Sequence, residues 1–277
     1  MQIPFMKFSG AGNDFVIIDN RQNILPIPAT DFAHWVCSRR LSVGADGLLL
    51  VAESASADFR MEYFNSDGSQ AESCGNGARC IAQFAYLNDI VNTKMCFETA
   101  AGLYRAEILA SRVKVQLSDP RQIRLDFPLQ LSDQLLSVSF ANTGVPHVVN
   151  FVTKIATVDV VNIGSKVRYH ADFEPNGTNV NWVEIQGEQA IAIRTYERGV
   201  EDETLACGTG SVAGAIIAVL AGKVEPPVSV KTTSGTILTV HFNHDIVDEK
   251  IKITNTYLEG DARLICHGQL TSSAWNY

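Results

Sequence analysis

The chain has no apolar run long enough to cross a bilayer. Its most apolar stretch, Val212 to Ala221, falls well short of the roughly 20 residues that a span requires. It lacks a basic opening followed by an apolar block, so Met1 to Gly10 does not read as a signal peptide, and the expected location is the cytoplasm. It also lacks positive charge. The net charge is -8, which argues against nucleic acid or an anionic membrane as the main partner. No C-x-x-C pair occurs, and no histidine stands at ligand spacing from a cysteine, so no metal site is expected. No Gly-Lys-Ser/Thr follows a glycine loop, and Gly208-x-Gly210 lacks the rest of a dinucleotide fingerprint. Six cysteines in 277 residues are too sparse for a disulfide framework. Cys37, Cys80, Cys96 and Cys266 read as small buried hydrophobes.

What is present is core material. Hydrophobic residues make up 46% and charged residues 19%, enough for one large domain or two of ordinary size. The sequence also repeats itself. Phe8-Ser-Gly-Ala-Gly12 resembles Phe140-Ala-Asn-Thr-Gly144, 132 residues on. Val43 to Leu49 falls on Asn176 to Trp182, Tyr63 on Tyr196, Cys74 on Cys207, and Thr99 to Gly102 on Thr232 to Gly235, all 133 residues on. Each match alone is weak; their common order and offset imply a duplicated domain. The halves are expected over 1–122, joined by a returning strand 264–277, and over 123–263.

Short β-rich segments at Phe15–Asp19, Leu48–Val51, Val113–Leu117, Ile191–Thr195, Ile237–Val240 and Ile251–Thr254 predict strands. Ala262–Cys266 reads as a strand returning to one sheet. Gly77–Leu87 and Gly210–Leu220 predict helices; the second is apolar on nearly every face and should be enclosed. The expected fold class is α/β of the α+β type. It has two pseudo-symmetric domains, each a curved, mixed, mainly antiparallel β-sheet wrapped round a central α-helix.

Both helices start alike: Cys74-Gly75-Asn76-Gly77 and Cys207-Gly208-Thr209-Gly210. Free N–H groups and partial positive charge at a helix start favour a thiolate and can cradle a carboxylate. A two-fold relation between halves would set the two starts facing each other, with a substrate α-carbon between two sulfurs. Inverting a stereocentre needs a base on one face and an acid on the other, and Cys74 with Cys207 supply both. Donors at the helix starts and exclusion of water would stabilise the carbanion-like transition state.

Supporting polar residues cluster on the same segments: Asn13, Asn65, Asn179, Glu197 and Arg198. Arginine can hold a carboxylate, glutamate an ammonium, and asparagine offers both donor and acceptor. That set suits a zwitterionic amino acid, although any one asparagine reads as readily as a turn residue. His147 reads equally as a core histidine or as a neighbour of a cysteine.

These motifs resemble the diaminopimelate epimerase family along nearly the whole chain. They are Lys7 to Phe15, Gly44-Ala-Asp-Gly47, Tyr63 to Gly68, Glu72-Ser-Cys-Gly-Asn-Gly-Ala-Arg79, Gly144-Val-Pro-His147, and Tyr196-Glu-Arg-Gly199 leading into Ala206-Cys-Gly-Thr-Gly210. The resemblance implies interconversion of L,L- and meso-diaminopimelate for lysine and peptidoglycan synthesis, without pyridoxal phosphate or metal. It implies Cys74 and Cys207 as the acid–base pair, with Gly75, Asn76, Gly208 and Thr209 holding the reacting carboxylate. Asn13, Asn65, Asn179 and Arg198 would bind the distal end, and Glu197 would meet an ammonium. His147 and Glu197 would tune the cysteines. Members are often homodimers. The chain departs from the family pattern at Val145, where many members carry asparagine, and at Gly47, where some carry glutamine; Asn142 lies near the first.

Other readings are a related racemase of glutamate, histidine or proline, an inactive amino-acid-binding module, and a thiol hydrolase using His147. The last leaves one cysteine unexplained. Retention of both cysteines opposes the binding module, and Asn65, Asn179 and Arg198 favour a long diacid.

Overall fold

The computed structural model describes residues 2–71, 74–247 and 250–277. The chain divides into two compact units, 1–116 with 260–277, and 117–259. The division falls a few residues before the junctions expected at 122 and 263.

The first unit opens with β1 (Ile3–Gly10) and β2 (Asn13–Asp19), an antiparallel pair. Helix α1 (Ala29–Val36) then leads to β3 (Gly47–Ala52), which runs parallel to β2 with Phe15 opposite Gly47. Next come β4 (Phe59–Asn65), the short β5 (Gln70–Ala71) and α2 (Gly75–Leu87). After them, β6 (Lys94–Thr99) pairs parallel with β4, and β7 (Gly102–Leu109) and β8 (Arg112–Gln116) continue antiparallel.

The second unit follows the same plan. Strands β9 (Arg121–Gln130), β10 (Leu135–Asn142) and β11 (Pro146–Phe151) form antiparallel pairs. Helix α3 (Val160–Arg168) leads to β12 (Asn179–Gly187), parallel to β11 with His147 opposite Asn179. Then come β13 (Ala190–Glu197), β14 (Asp202–Thr204) and α4 (Gly208–Leu220). Strand β15 (Val228–Lys231) pairs parallel with β13, and β16 (Ile237–Val247) and β17 (Lys250–Asp261) complete the series. Finally β18 (Arg263–Leu270) returns to the first unit and pairs antiparallel with β1, from Ile3 opposite Leu270 to Ser9 opposite Arg263.

The repeat is visible element by element. Helices α2 and α4 each have 13 residues and start 133 residues apart. Strands β1 and β10 each have 8. The hairpins after them differ: Leu49 faces Tyr63, whereas Val180 faces Tyr196, so the sequence match of the two tyrosines carries a register offset of two residues.

Each helix is the core of its unit. Helix α2 packs against β1, β2, β3, β4, β7 and β8, and α4 against β10, β11, β12, β13, β15 and β16. Residues Asn76 to Ala85 and Gly210 to Val219 are buried. A helix ringed by a sheet has no solvent face, which is why α4 reads apolar all round. Both helices begin two residues earlier than expected, at Gly75 and Gly208, because the cysteine itself is the cap. Helices α1 and α3 lack that strong pattern; α3 starts where Asp159 accepts a hydrogen bond from Asn162 N, a common N-cap.

Three of the four remaining cysteines are at least partly buried; Cys266 is not. It is exposed, as is most of β18, so the expectation of a buried hydrophobe fails there. Burial pushes the Cys37 thiol up to about 12 and the Cys80 thiol up as well. Both are held protonated and inert. Among the described residues, no helix is long and apolar enough to cross a membrane.

Candidate active site

In the first unit, Cys74 caps α2 from an extended backbone conformation, φ -149° and ψ 118°. Its Sγ accepts the Gly77 N–H at 3.4 Å, taking one of the four amides that a helix start leaves without a backbone partner. Glu72 and Ser73, just before it in the cysteine motif, lie outside the described residues. The Cys74 thiol donates to Asn13 Oδ1 at 3.5 Å. Asn13 Nδ2 donates to Asp46 Oδ2 at 2.6 Å, so a carboxylate fixes which end of the amide meets the sulfur. Asp46 belongs to an ionic cluster with Asp14, Lys7 and Arg39. Lys7 Nζ lies 3.0 Å from Asp14, and Arg39 bridges Asp14 at 2.7 Å and Asp46 at 2.9 Å. Burial raises the Asp14 pKa, but Arg39 and Lys7 more than reverse that and hold it below the usual carboxylate range.

Arg79 lies one turn into α2 and is fully buried. Its guanidinium donates to Asn76 Oδ1 at 2.7 Å, Asp261 O at 3.2 Å and Gly75 O at 3.3 Å. Burial pulls its pKa down, yet with three acceptors in place the group stays cationic. None of those acceptors is a carboxylate. The Asp261 side chain acts on it through space and opposes the cost of burial, and the guanidinium lies one turn from the head of α2, where its charge favours an anion. Asn65 closes the turn after β4, where its Nδ2 donates to Ser69 Oγ at 3.0 Å. Gly47 has no room for the family's glutamine: an added Cβ would stand 2.6 Å from the Tyr63 ring and 2.7 Å from Phe64 O. The Tyr63 ring fills the space beside it.

In the second unit, Cys207 caps α4 with φ -114° and ψ 115°. Its Sγ accepts the Gly210 N–H at 3.4 Å and lies 3.5 Å from Thr209 Oγ1. Thr143 Oγ1 donates to Thr209 O at 3.1 Å. Beneath this start, Asn181 is fully buried; a Cβ at Gly210 would run into its Oδ1. Asn181 Nδ2 donates to Val148 O at 2.9 Å and meets His147 Nδ1 at 3.1 Å. Thr195 Oγ1 donates to Asn181 Oδ1 at 3.0 Å. His147 is fully buried. Burial, with the Arg198 charge, pulls its pKa to about 3, so it is neutral at physiological pH.

Asn179 begins β12 and joins two segments: its Nδ2 donates to Pro146 O at 3.1 Å, and its Oδ1 accepts Arg198 N at 2.8 Å. Arg198 Nη1 donates to Asn176 O at 3.0 Å. Glu197 ends β13 half-buried, and burial pushes its carboxyl above the usual range. Asn142 closes the turn before β11, where its Oδ1 accepts Gly144 N at 3.1 Å. That bond ties the amide into the turn instead of leaving it free to replace the family's asparagine at Val145.

The structure therefore places Asn13, Gly75 and Asn76 round Cys74. It places Thr209, Gly208, and, through Asn181, His147 round the head of α4. Residues that sequence reasoning missed are Asp46, Arg79, Asn181 and Thr195. Arg79 had a signal, the one charged residue in α2. Asn181 had another: it shares a strand face with Asn179, two residues away. Among the described residues, no group of three or more His, Cys, Asp or Glu could hold a metal ion.

Residues 5–123 and 139–264 match the family model described as diaminopimelate epimerase. The diaminopimelate epimerase of Aquifex aeolicus is 42% identical, covering 99% of this chain and 100% of that protein. Among solved structures, the phenazine biosynthesis protein of the PhzF family from Bacillus anthracis superposes with a TM-score of 0.74 at 16% identity. The match covers 98% of this chain and 99% of that one. A probable proline racemase from Agrobacterium radiobacter gives 0.68 at 17%, covering 97% and 93%. These two establish the shared fold alone. With the family model covering most of its length and a near-full-length relative at this identity, the chain belongs to the diaminopimelate epimerase family.

Proposed function

We propose that this protein interconverts L,L- and meso-diaminopimelate by moving one α-proton, with Cys74 and Cys207 as the acid–base pair. The observation that carries the reading is the matched pair of thiol caps. Each sulfur caps a central helix and accepts the third residue's N–H at 3.4 Å. One cysteine as thiolate takes the α-proton; the other as thiol delivers a proton to the opposite face. The two sulfurs exchange states in each turnover, so no outside oxidant or cofactor is consumed.

The amides of Gly75 and Asn76, and of Gly208 and Thr209, supply donors for the reacting carboxylate, since helix starts favour anions. They stabilise the charge that develops as the proton leaves. Asn65, Asn179 and Arg198 would recognise the distal end and Glu197 an ammonium, while Asn13 sits at the Cys74 thiol. The reading carries a place in lysine and peptidoglycan synthesis and a cytoplasmic homodimer; the exposed Leu264 and Ile265 of β18 give apolar surface for a partner copy.

The test is α-proton exchange on L,L-diaminopimelate in D2O with purified protein and no added cofactor. Deuterium at one α-carbon together with the meso product supports the reading. Exchange on glutamate, histidine or proline, but not on diaminopimelate, overturns the substrate and keeps the two-thiol chemistry. No exchange on any of them overturns the chemistry.

A further inference from the structure

Asn181 shows which tautomer of His147 the fold selects. The Val148 carbonyl can only accept, so the Asn181 atom 2.9 Å away is the amide nitrogen. The other hydrogen of that nitrogen meets His147 Nδ1 at 3.1 Å. Nδ1 is therefore an acceptor and carries no proton, and the neutral ring holds its proton on Nε2. The cationic ring is excluded at this contact, because it would set an N–H against an N–H. The amide cannot rotate to relieve that, since its oxygen would then face the Val148 carbonyl, which can only accept.

His147 Nε2 is buried and has no partner among the described residues. A buried donor left unmade costs about 1–3 kcal/mol, so the fold keeps it for an acceptor that arrives. The Asn181 side chain touches both the imidazole and the first turn of α4, where Gly210 must lack a Cβ to admit it. The ring meets Asn181 through Nδ1, so Nε2 points away from that contact and stays open to a different acceptor.

We propose that Asn181 is a positioning residue that locks His147 as the Nε2–H tautomer, a fixed hydrogen-bond donor to the anion that the reaction brings to it. That anion is a reacting thiolate or the substrate carboxylate. His147 is then no proton carrier: one ring nitrogen is occupied by Asn181 and the other already holds its proton. This assignment of the anion rests on the function proposed above; the tautomer does not.

The test is a long-range 1H–15N spectrum of histidine-labelled protein at neutral pH, with the His147 signals identified by their loss in His147→Gln. Wild type should show an unprotonated Nδ1 and a protonated Nε2. Asn181→Asp places an acceptor at Nδ1 and should invert the pattern or yield the imidazolium. A wild-type ring protonated on Nδ1 overturns the proposal, as does an unchanged pattern in folded Asn181→Asp. Should that variant fail to fold, Asn181→Ser is the second probe, and a ring that stays wholly in the Nε2–H form there counts against the lock. In folded variants, α-proton exchange should fall about 10- to 100-fold, the worth of one hydrogen bond to a charged group, with KM changing less. A failure of exchange in wild type would overturn the function reading and leave the tautomer result standing.

Discussion

Cys74 and Cys207 cap helices of equal length through the same sulfur-to-amide bond, yet they rest on different ground. Beneath α2 the side chains near Gly77 are Leu49 and Met61; beneath α4 they are Asn181, His147 and Thr195. Helix α2 buries a guanidinium at Arg79; the repeat position in α4 is Val212. The Cys74 thiol faces a carboxamide oxygen fixed by Asp46, while Cys207 faces a hydroxyl that can donate or accept. A duplicated cap has thus been given a fixed cation on one side and neutral dipoles on the other. Equal reactivity is not required of two sulfurs that exchange roles. Each needs only the surroundings that suit the face it serves.

The sharpest way to break the comparison is to remove each sulfur in turn. Cys74→Ser and Cys207→Ser should each lower epimerisation about 10²- to 10⁴-fold, the usual worth of a positioned acid or base. Near-normal turnover in either would end the two-thiol account. Arg79→Met should come next. It leaves the Asn76, Gly75 and Asp261 oxygens without their donor, at a cost of about 2–4 kcal/mol in chemical denaturation. It should also slow alkylation of Cys74 several-fold at neutral pH and leave Cys207 unchanged. An equal effect on both thiols would show that the cation is not local.

The two third-position glycines give a gentler contrast. Gly210→Ala drives a methyl into Asn181 Oδ1 and should destabilise by about 1–3 kcal/mol. Gly77→Ala meets only ordinary contacts, the nearest at 3.4 Å, and should shift stability by less than about 1 kcal/mol in either direction. Thermal melts of the two variants decide it. The last contrast is one of pH. His147 is depressed to about 3, so its contribution to stability is whole above the unfolded pKa near 6.5 and is lost as pH falls toward 3. Over that window wild type should lose up to about 1.4 kcal/mol per pH unit from this group, and His147→Gln should lose that much less. Parallel slopes for the two proteins would show that His147 does not titrate as described.

Much of this was legible in the sequence for physical reasons. The offset of 133 between the cysteine motifs is the offset between the two helices; short β-rich apolar runs marked β2 and β3, and alternation marked β13, within a residue or two. The motifs placed both cysteines at helix starts, but the predicted ranges began two residues late because glycine is a poor helix former and Gly75 and Gly208 lack a helical pattern. The supporting residues were harder. Asn13 reads as a distal contact from its motif, and only the fold shows Asp46 turning its oxygen to Cys74. Asn181 and Thr195 face each other across the β12–β13 hairpin, and nothing in either stretch announces the register that lets them share a hydrogen bond. Cys266 looked like its buried neighbours in composition and proved to lie on an exposed strand.

Strand β18 has a consequence for how the molecule comes into being. It pairs with β1, and Asp261 just ahead of it accepts from Arg79 inside α2. As the chain emerges from the ribosome, the second unit has all its residues first, although it is made second. The first unit waits for residues 260–277, with its opening strand unzipped on one side and its arginine short of one acceptor. A ribosome that stalls before that segment would release a protein whose younger half is finished and whose older half is not.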